Sequence, residues 1–418
     1  MNRIILIGNG FDLAHGLKTS YADFIDWYWG EWGKKLKTSS NKLEDDKLCS
    51  FELNDNGEYG PWYIFCGFYL NSRTCSNSEL IKKIRQNNNL CKISFQSTFF
   101  EEICRSAEER KWVDIENIYY SHLCKDDTDP KLLNEQLAII RTKLVEYTEV
   151  QKNVTQNNVK EEIRNKMTAA FKLPDISVDF EKKFSQLRTD FFRSRGKDTP
   201  YIPERIFVLN FNYTTLADLY FSDNTRKSTH IHGELSKPDS VIFGYGDELD
   251  EKYKTIVNKN DNEYLRNVKS VKYMEHANYR HLLEFIESEP FQIFIMGHSC
   301  GNSDRTLLNT LFEHRNCVSI KPFYYKRENG SDNYIELVQN IYRNFTDMKL
   351  MRDRVVNKEF CEPLLEPSGV IISPPPCPTN SKTNTGFRRT VCGGGIIPAT
   401  GIITSPSSPP IATSCSAK

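Results

Sequence analysis

Four short polar motifs carry the residue types that chemistry on a nucleotide needs. They are Gly8-Asn9-Gly10-Phe11-Asp12, Asn210-Phe211-Asn212-Tyr213-Thr214, His230-Ile231-His232-Gly233, and Gly297-His298-Ser299-Cys300-Gly301-Asn302-Ser303-Asp304. Glycines ahead of a helix let phosphate oxygens reach backbone N–H groups, where the helix dipole favours negative charge. Asn9 and Asp12 add polar groups at the rim of that turn. An imidazole titrates near neutral pH, so His232 suits a general base. The Asn212 amide can both donate and accept, as a ribose hydroxyl or a positioned water requires. His230 and His232 share a strand face, which is the arrangement of a metal pair, but no carboxylate motif of matching spacing accompanies them and no metal is expected.

A rival chemistry sits in the last motif. Gly297-His298-Ser299-Cys300-Gly301 matches the Gly-x-Ser-x-Gly nucleophile elbow, which would make Ser299 an acyl-transfer nucleophile. Asp304 and His314 follow it too closely to come from later strand ends, so the spacing speaks against a triad.

Each motif needs an element to hold it. Ile4–Ile7, Ile206–Phe211 and Phe291–Met296 read as buried parallel strands; Ser228–His232 and Val241–Gly244 read as further extended segments. Parallel neighbours would bring all four motifs to one crevice at the carboxyl edge of the sheet. Between the first two strands, apolar residues recur at helical spacing: Phe100, Ile103, Cys104 and Ala107; Leu133, Leu137, Ile140, Leu144 and Tyr147; Val159, Ile163, Met167 and Phe171. Asp129 and Pro130 form a helix start. Lys34–Asn89, with the aromatic island Trp62-Tyr63-Ile64-Phe65, reads as irregular. The expected fold is therefore α/β, a Rossmann-like doubly wound parallel sheet with a large, mainly helical insertion. The core is 1–30 plus 200–360, the insertion 31–199, and the Pro/Gly/Ser-rich tail 361–418 is expected to be disordered. Asp114 and Glu116 read as a solvated pair or a cap, with lining the site as the alternative.

Composition narrows the partners. The 418 residues include 55 acidic and 55 basic side chains, so no global field attracts nucleic acid, and none is expected. The 12 cysteines are scattered without a Cys-x-x-Cys pair, and no signal peptide is visible before the first strand. Reduced thiols in the cytoplasm are expected, without a zinc ribbon. No apolar run reaches membrane-spanning length, so no membrane is expected. A homo-oligomer is left open.

The stretch Gly8-Asn9-Gly10-Phe11-Asp12-Leu13-Ala14-His15-Gly16-Leu17-Lys18-Thr19-Ser20-Tyr21 resembles the AbiH family of bacterial abortive-infection proteins that act against phage. Trp112-Val113-Asp114-Ile115-Glu116, Asn210-Phe211-Asn212-Tyr213-Thr214, His232-Gly233 and Gly297-His298-Ser299 with Ser303-Asp304 fall in the family's order, so the resemblance covers roughly the first 345 residues. That family is similar, more remotely, to sirtuin-like NAD-binding domains. The resemblance implies that Gly8 and Gly10, with Asn9 and Asp12 beside them, hold the NAD phosphates. It implies that Asn212 meets the nicotinamide ribose, that His232 is the base, and that Gly297 and Ser299 contact the adenosine half, with Thr214 and Asp304 as further cofactor-binding residues. Thr214 stands where sirtuins have Asp, and the sirtuin zinc cysteines are missing, which argues against deacylation. The implied function is an anti-phage effector that binds NAD and hydrolyses it to nicotinamide and ADP-ribose in response to a phage-derived trigger. A nucleotide-sensing module without turnover and a serine hydrolase using Ser299 are the alternatives.

Overall fold

The computed structural model describes residues 1–53, 75–86, 91–110, 114–149, 154–221 and 226–367. Its centre is a five-stranded parallel sheet of β1 (Asn2–Ile7), β5 (Ile206–Asn210), β6 (Arg226–His230), β7 (Phe291–Met296) and β8 (Cys317–Phe323), in the order β6-β5-β1-β7-β8. Every residue of β1, β5, β7 and β8 is buried. That is why Ile4–Ile7, Ile206–Leu209 and Ile293–Met296 read as apolar runs without alternation.

Both faces of the sheet are covered. Ile4 and Leu6 of β1 join a core with Leu282 and Ile286 of the helix Asn278–Ser288 and Leu307, Leu308 and Leu311 of Arg305–Phe312. Ile5 and Ile7 point the other way, to Ile163 and Met167 of the helix Glu161–Thr168 and to Leu216 and Ala217. Each fully buried aliphatic side chain contributes about 1.5–3 kcal/mol, so the alternation locks the pairing register of the central strand. Buried polar groups tie in the segment after Glu161–Thr168. Arg3 Nη1 donates to the carbonyls of Met167 (3.0 Å) and Ala169 (2.7 Å), and Lys321 Nζ of β8 pairs with Asp175 at 3.0 Å.

A second core lies around the helix Tyr21–Thr38, which Ser20 caps by accepting the Asp23 N–H. Phe24, Tyr28, Trp32 and Leu36 recur every four residues on its buried side. They pack with Phe51 of a three-stranded antiparallel sheet, β2 (Leu43–Asp45), β3 (Cys49–Leu53) and β4 (Cys91–Phe95), and with the helices Thr98–Arg110, Ile115–Leu123 and Pro130–Glu149. Asp129 does cap the last of these, accepting from the Lys131 and Leu132 N–H groups.

Several expectations change. Residue 30 falls inside the helix Tyr21–Thr38 rather than at a boundary, and the region after it contains an antiparallel sheet as well as helices. Met1–Val370 is one compact unit, because Ile163 and Met167 pack on the parallel sheet rather than on a separate domain. Val241–Gly244 is no strand: those residues are buried, and the chain there is held by single contacts, such as the Ile242 N–H to the His232 carbonyl. Cys317–Phe323, with Lys321 and Pro322 breaking its apolar run, is the sheet strand that periodicity misses. Cys361 does not end the folded chain, since Leu364 is buried and its N–H donates to the Tyr324 carbonyl. Trp62–Phe65 and 368–418 lie outside the described residues. The eight described cysteines are all free thiols.

Candidate functional site

The strand order places β1 between β5 and β7, so the loops after these three strands meet at the carboxyl edge. The loop after β7 lies directly on the first glycine turn. A Cβ on Gly8 would stand 2.5 Å from His298 Cα, and one on Gly10 would stand 2.9 Å from the Gly297 carbonyl oxygen. Gly10 N–H donates to that oxygen at 2.8 Å, and the Phe11 N–H to the Gly8 carbonyl. The two glycines thus serve an approach of backbone to backbone, and their amides are engaged within the chain. Asn9 is exposed at the rim, with Thr19 Oγ1 donating to its side-chain oxygen.

Asn212 and Thr214 stitch the turn after β5 to the turn after β1. Asn212 Nδ2 donates to the Gly8 carbonyl (3.0 Å), and Thr214 Oγ1 donates to Asp12 Oδ2 (2.7 Å). Asp12 is buried, and among the described residues its Oδ1 has no hydrogen-bond partner. Burial pushes this carboxyl up to about 7, against the hydrogen bond from Thr214.

The densest chemistry lies around Asp304. Its Oδ1 is 3.1 Å from His232 Nε2 and 2.8 Å from Lys269 Nζ, and its Oδ2 is 3.6 Å from His298 Nε2. Lys269 Nζ also reaches Glu116 Oε2 at 2.8 Å, and Glu116 Oε1 accepts the Gly244 N–H at 3.0 Å. Tyr273 Oη lies 3.2 Å from His232 Nε2. The Phe211 ring contacts both imidazoles, with centroids 5.2 Å from His232 and 4.1 Å from His298. Lys269 is only 1% exposed, so its charge exists because two carboxylates meet it.

The protonation states follow from these contacts. Burial by itself would raise Asp304, but the Lys269 ammonium and His232 outweigh it and hold the carboxyl well below the usual range. Burial would likewise lower Lys269, yet Asp304 and Glu116 keep its pKa above that of an ordinary lysine. Glu116 is raised, because burial outweighs the Lys269 charge and the Asp304 anion adds to it. The phenols of buried Tyr273 and half-buried Tyr213, taken out of water beside the same anions, are raised well above the ordinary value.

The remaining expected residues divide. Gly297 forms the close contact with the first turn. Ser299 is exposed, and among the described residues no imidazole or carboxylate is hydrogen-bonded to its hydroxyl; its carbonyl is held by Asn340. In a nucleophile elbow the strained residue is the serine itself, whereas here the positive φ of 55° falls on Cys300, which is buried. His230 turns to Asp218, 3.0 Å away, so the two strand-end histidines meet different carboxylates. Asp114 is a cap, accepting the Asn117 N–H; its neighbour Glu116 is buried in the cluster rather than solvated. Among the described residues no group of three or more His, Cys, Asp or Glu is arranged to hold a metal. Trp112 and Val113 lie outside the described residues.

Sequence reasoning missed Lys269 and Tyr273. Lys269 lies in Asn267-Val268-Lys269-Ser270-Val271-Lys272, which looks like any solvated stretch.

The model of the bacteriophage abortive infection AbiH family matches residues 4–325, a span containing Asp304, His232, His298, Lys269, Glu116 and Tyr273. The chain belongs to the AbiH family. Membership implies a role in abortive infection against bacteriophage. No curated protein matches the chain. Among the described residues of this AbiH chain, no helix is long and apolar enough to cross a membrane.

Proposed function

We propose that this AbiH chain is an abortive-infection effector that consumes NAD, with His232 as general base. The five-stranded parallel sheet, ordered β6-β5-β1-β7-β8, supports a Rossmann-like reading, in which ligands bind outside the carboxyl ends beside the first strand. The observation that carries the reading is the His232–Asp304 pair at that edge: an imidazole 3.1 Å from a carboxylate kept ionised by a buried lysine. Such a pair orients the ring and stabilises the imidazolium that forms when it takes a proton.

In the proposed reaction, water attacks the ribose carbon that bears nicotinamide. The C–O bond forms, the N-glycosidic bond breaks, and nicotinamide leaves with the bonding electrons as a neutral molecule. His232 takes the proton from water, leaving ADP-ribose. Phe211 and the two tyrosines exclude competing solvent. Asn9 and Asp12 remain candidates for the phosphate and ribose side, Ser299 for the adenosine half. Asn212 and Thr214 act by fixing the first turn, since their side chains are spent on Gly8 and Asp12. A phage-derived trigger is the expected partner.

The test is incubation of the purified protein with NAD, with and without phage lysate, followed by chromatography for nicotinamide and ADP-ribose. His232→Ala is expected to lower nicotinamide release by about 10²–10⁴-fold, while Ser299→Ala retains turnover. Release unchanged in His232→Ala refutes the base. NAD bound but never cleaved, with or without lysate, favours a sensing module. Ester hydrolysis lost in Ser299→Ala, with labelling of that serine by a fluorophosphonate, would favour the hydrolase.

A further inference from the structure

The two imidazoles beside Asp304 differ in what their second nitrogens do. His298 Nδ1 accepts the Cys300 N–H at 3.0 Å, so a neutral His298 must carry its proton on Nε2, facing Asp304 Oδ2. His232 Nε2 stands 3.1 Å from Asp304 Oδ1 and hydrogen-bonds Tyr273 Oη at 3.2 Å, while among the described residues no hydrogen bond is formed by its Nδ1. Asp304 therefore faces three nitrogens: Lys269 Nζ, which donates to it at 2.8 Å, His232 Nε2 at 3.1 Å and His298 Nε2 at 3.6 Å. Only Lys269 carries a fixed positive charge. Its other carboxylate, Glu116, sits on the helix Ile115–Leu123 and is itself anchored by the Gly244 N–H.

We infer that Lys269 is a positioning residue: bridging Glu116 and Asp304, it turns Asp304 onto His232 Nε2, so that the imidazole proton stays on Nε2 and Nδ1 is the nitrogen that works as the base. This deepens the proposed function and rests on it for the substrate, but the tautomer and the role of Lys269 stand on the geometry of the cluster. The groups facing His232 are Asp304 and His298 from the loop after β7, Tyr273 from the turn Tyr273–Glu275, and Lys269 with Glu116 behind Asp304. Of these, Lys269 is the one whose removal leaves Asp304 without a fixed counter-charge. His232 then becomes the nearest group able to supply one.

The decisive measurement is ¹⁵N NMR of the histidine rings in the full chain. The His232 signals are assigned by their loss in His232→Gln. Wild type is expected to show His232 protonated on Nε2 and bare on Nδ1 when neutral. Lys269→Met is expected to raise the His232 titration midpoint by about one pH unit or more, because the imidazolium replaces the lost ammonium beside Asp304. Asp304→Asn, which keeps the side chain's shape, is expected to lower the midpoint by a similar amount. It decides the matter should Lys269→Met fail to fold. A neutral His232 with its proton on Nδ1 overturns the assignment of the base nitrogen, and a midpoint unmoved in the folded variants overturns the role of Lys269. In the NAD assay, Lys269→Met is expected to lower kcat by about 10²-fold with little change in KM. Absence of nicotinamide release from wild type under every condition refutes the NAD reading alone and leaves the NMR result standing.

Discussion

Gly297 and Gly16 have nearly the same backbone conformation, with φ of +79° and +80°, but opposite surroundings. Replacing each by alanine separates the conformational cost of a left-handed residue from the cost of blocking a close approach. At Gly16 nothing among the described residues lies within 4 Å of the new Cβ, so only the strained φ counts, about 1–2 kcal/mol. Some of that is offset by the lower entropy of the unfolded chain. At Gly297 the same Cβ would stand 2.0 Å from Phe11 N and 2.6 Å from the Gly10 carbonyl carbon. Both neighbours are backbone, held between β1 and the helix Asn9–Ala14, so relief requires the two turns to part. Parting them weakens the Gly10 N–H to Gly297 carbonyl bond, about 1–3 kcal/mol, and adds overpacking of about 1–3 kcal/mol. Gly297→Ala should therefore cost about 4 kcal/mol or more, and Gly16→Ala about 1 kcal/mol. In urea, with a slope of about 3 kcal/mol/M, the midpoint should fall by about 1 M for the first and about 0.3 M for the second. Equal shifts would refute the claim that the loop after β7 is wedged into the first glycine turn.

The same contact makes Gly10→Val a folding variant first, with a lowered urea midpoint even where no nucleotide is present. A normally stable Gly10→Val would reopen the turn as a bare phosphate cradle. Burial pushes the Asp12 carboxyl up to about 7 in the folded chain against 3.8 for an ordinary aspartate, so its contribution is full below about pH 4 and is lost as pH rises through 7. Urea midpoints of wild type should decline between pH 5 and 8 more steeply than those of Asp12→Asn, and parallel curves would count against a buried neutral carboxyl there. Lys321→Met strands Asp175 in the interior and should cost about 3–5 kcal/mol, most of it recovered in the double variant with Asp175→Leu. Additive losses in that double variant would show the pair is not coupled. Leu308, wholly buried against the sheet, should lose about 2–5 kcal/mol as Leu308→Ala, measured by the same unfolding curves.

Within this chain the local signals were those that depend on near neighbours. Ile4–Ile7, Ile206–Leu209 and Ile293–Met296 are apolar throughout because both faces of their sheet are covered, and that burial is written directly into residue type. The helix Pro130–Glu149, with its Asp129 cap, was legible for the same reason: periodicity and capping act within a few residues. The motifs at the strand ends were legible too, since His232 and Asp304 could be picked out by type. The sequence was silent on which distant groups meet. Val241–Gly244 has the composition of a strand but finds no edge to pair with, while Cys317–Phe323 carries a lysine and a proline yet forms one, because Asp175 satisfies Lys321 from 146 residues away. Gly8 and Gly10 looked shaped for a phosphate, and only the fold revealed that the backbone of Gly297 and His298 fills part of that space. Lys269 gave no sign of burial, because a lysine is buried only where carboxylates converge. Glu116 and Asp304 come together there from helix ends 188 positions apart, a meeting set by strand order and not by sequence spacing.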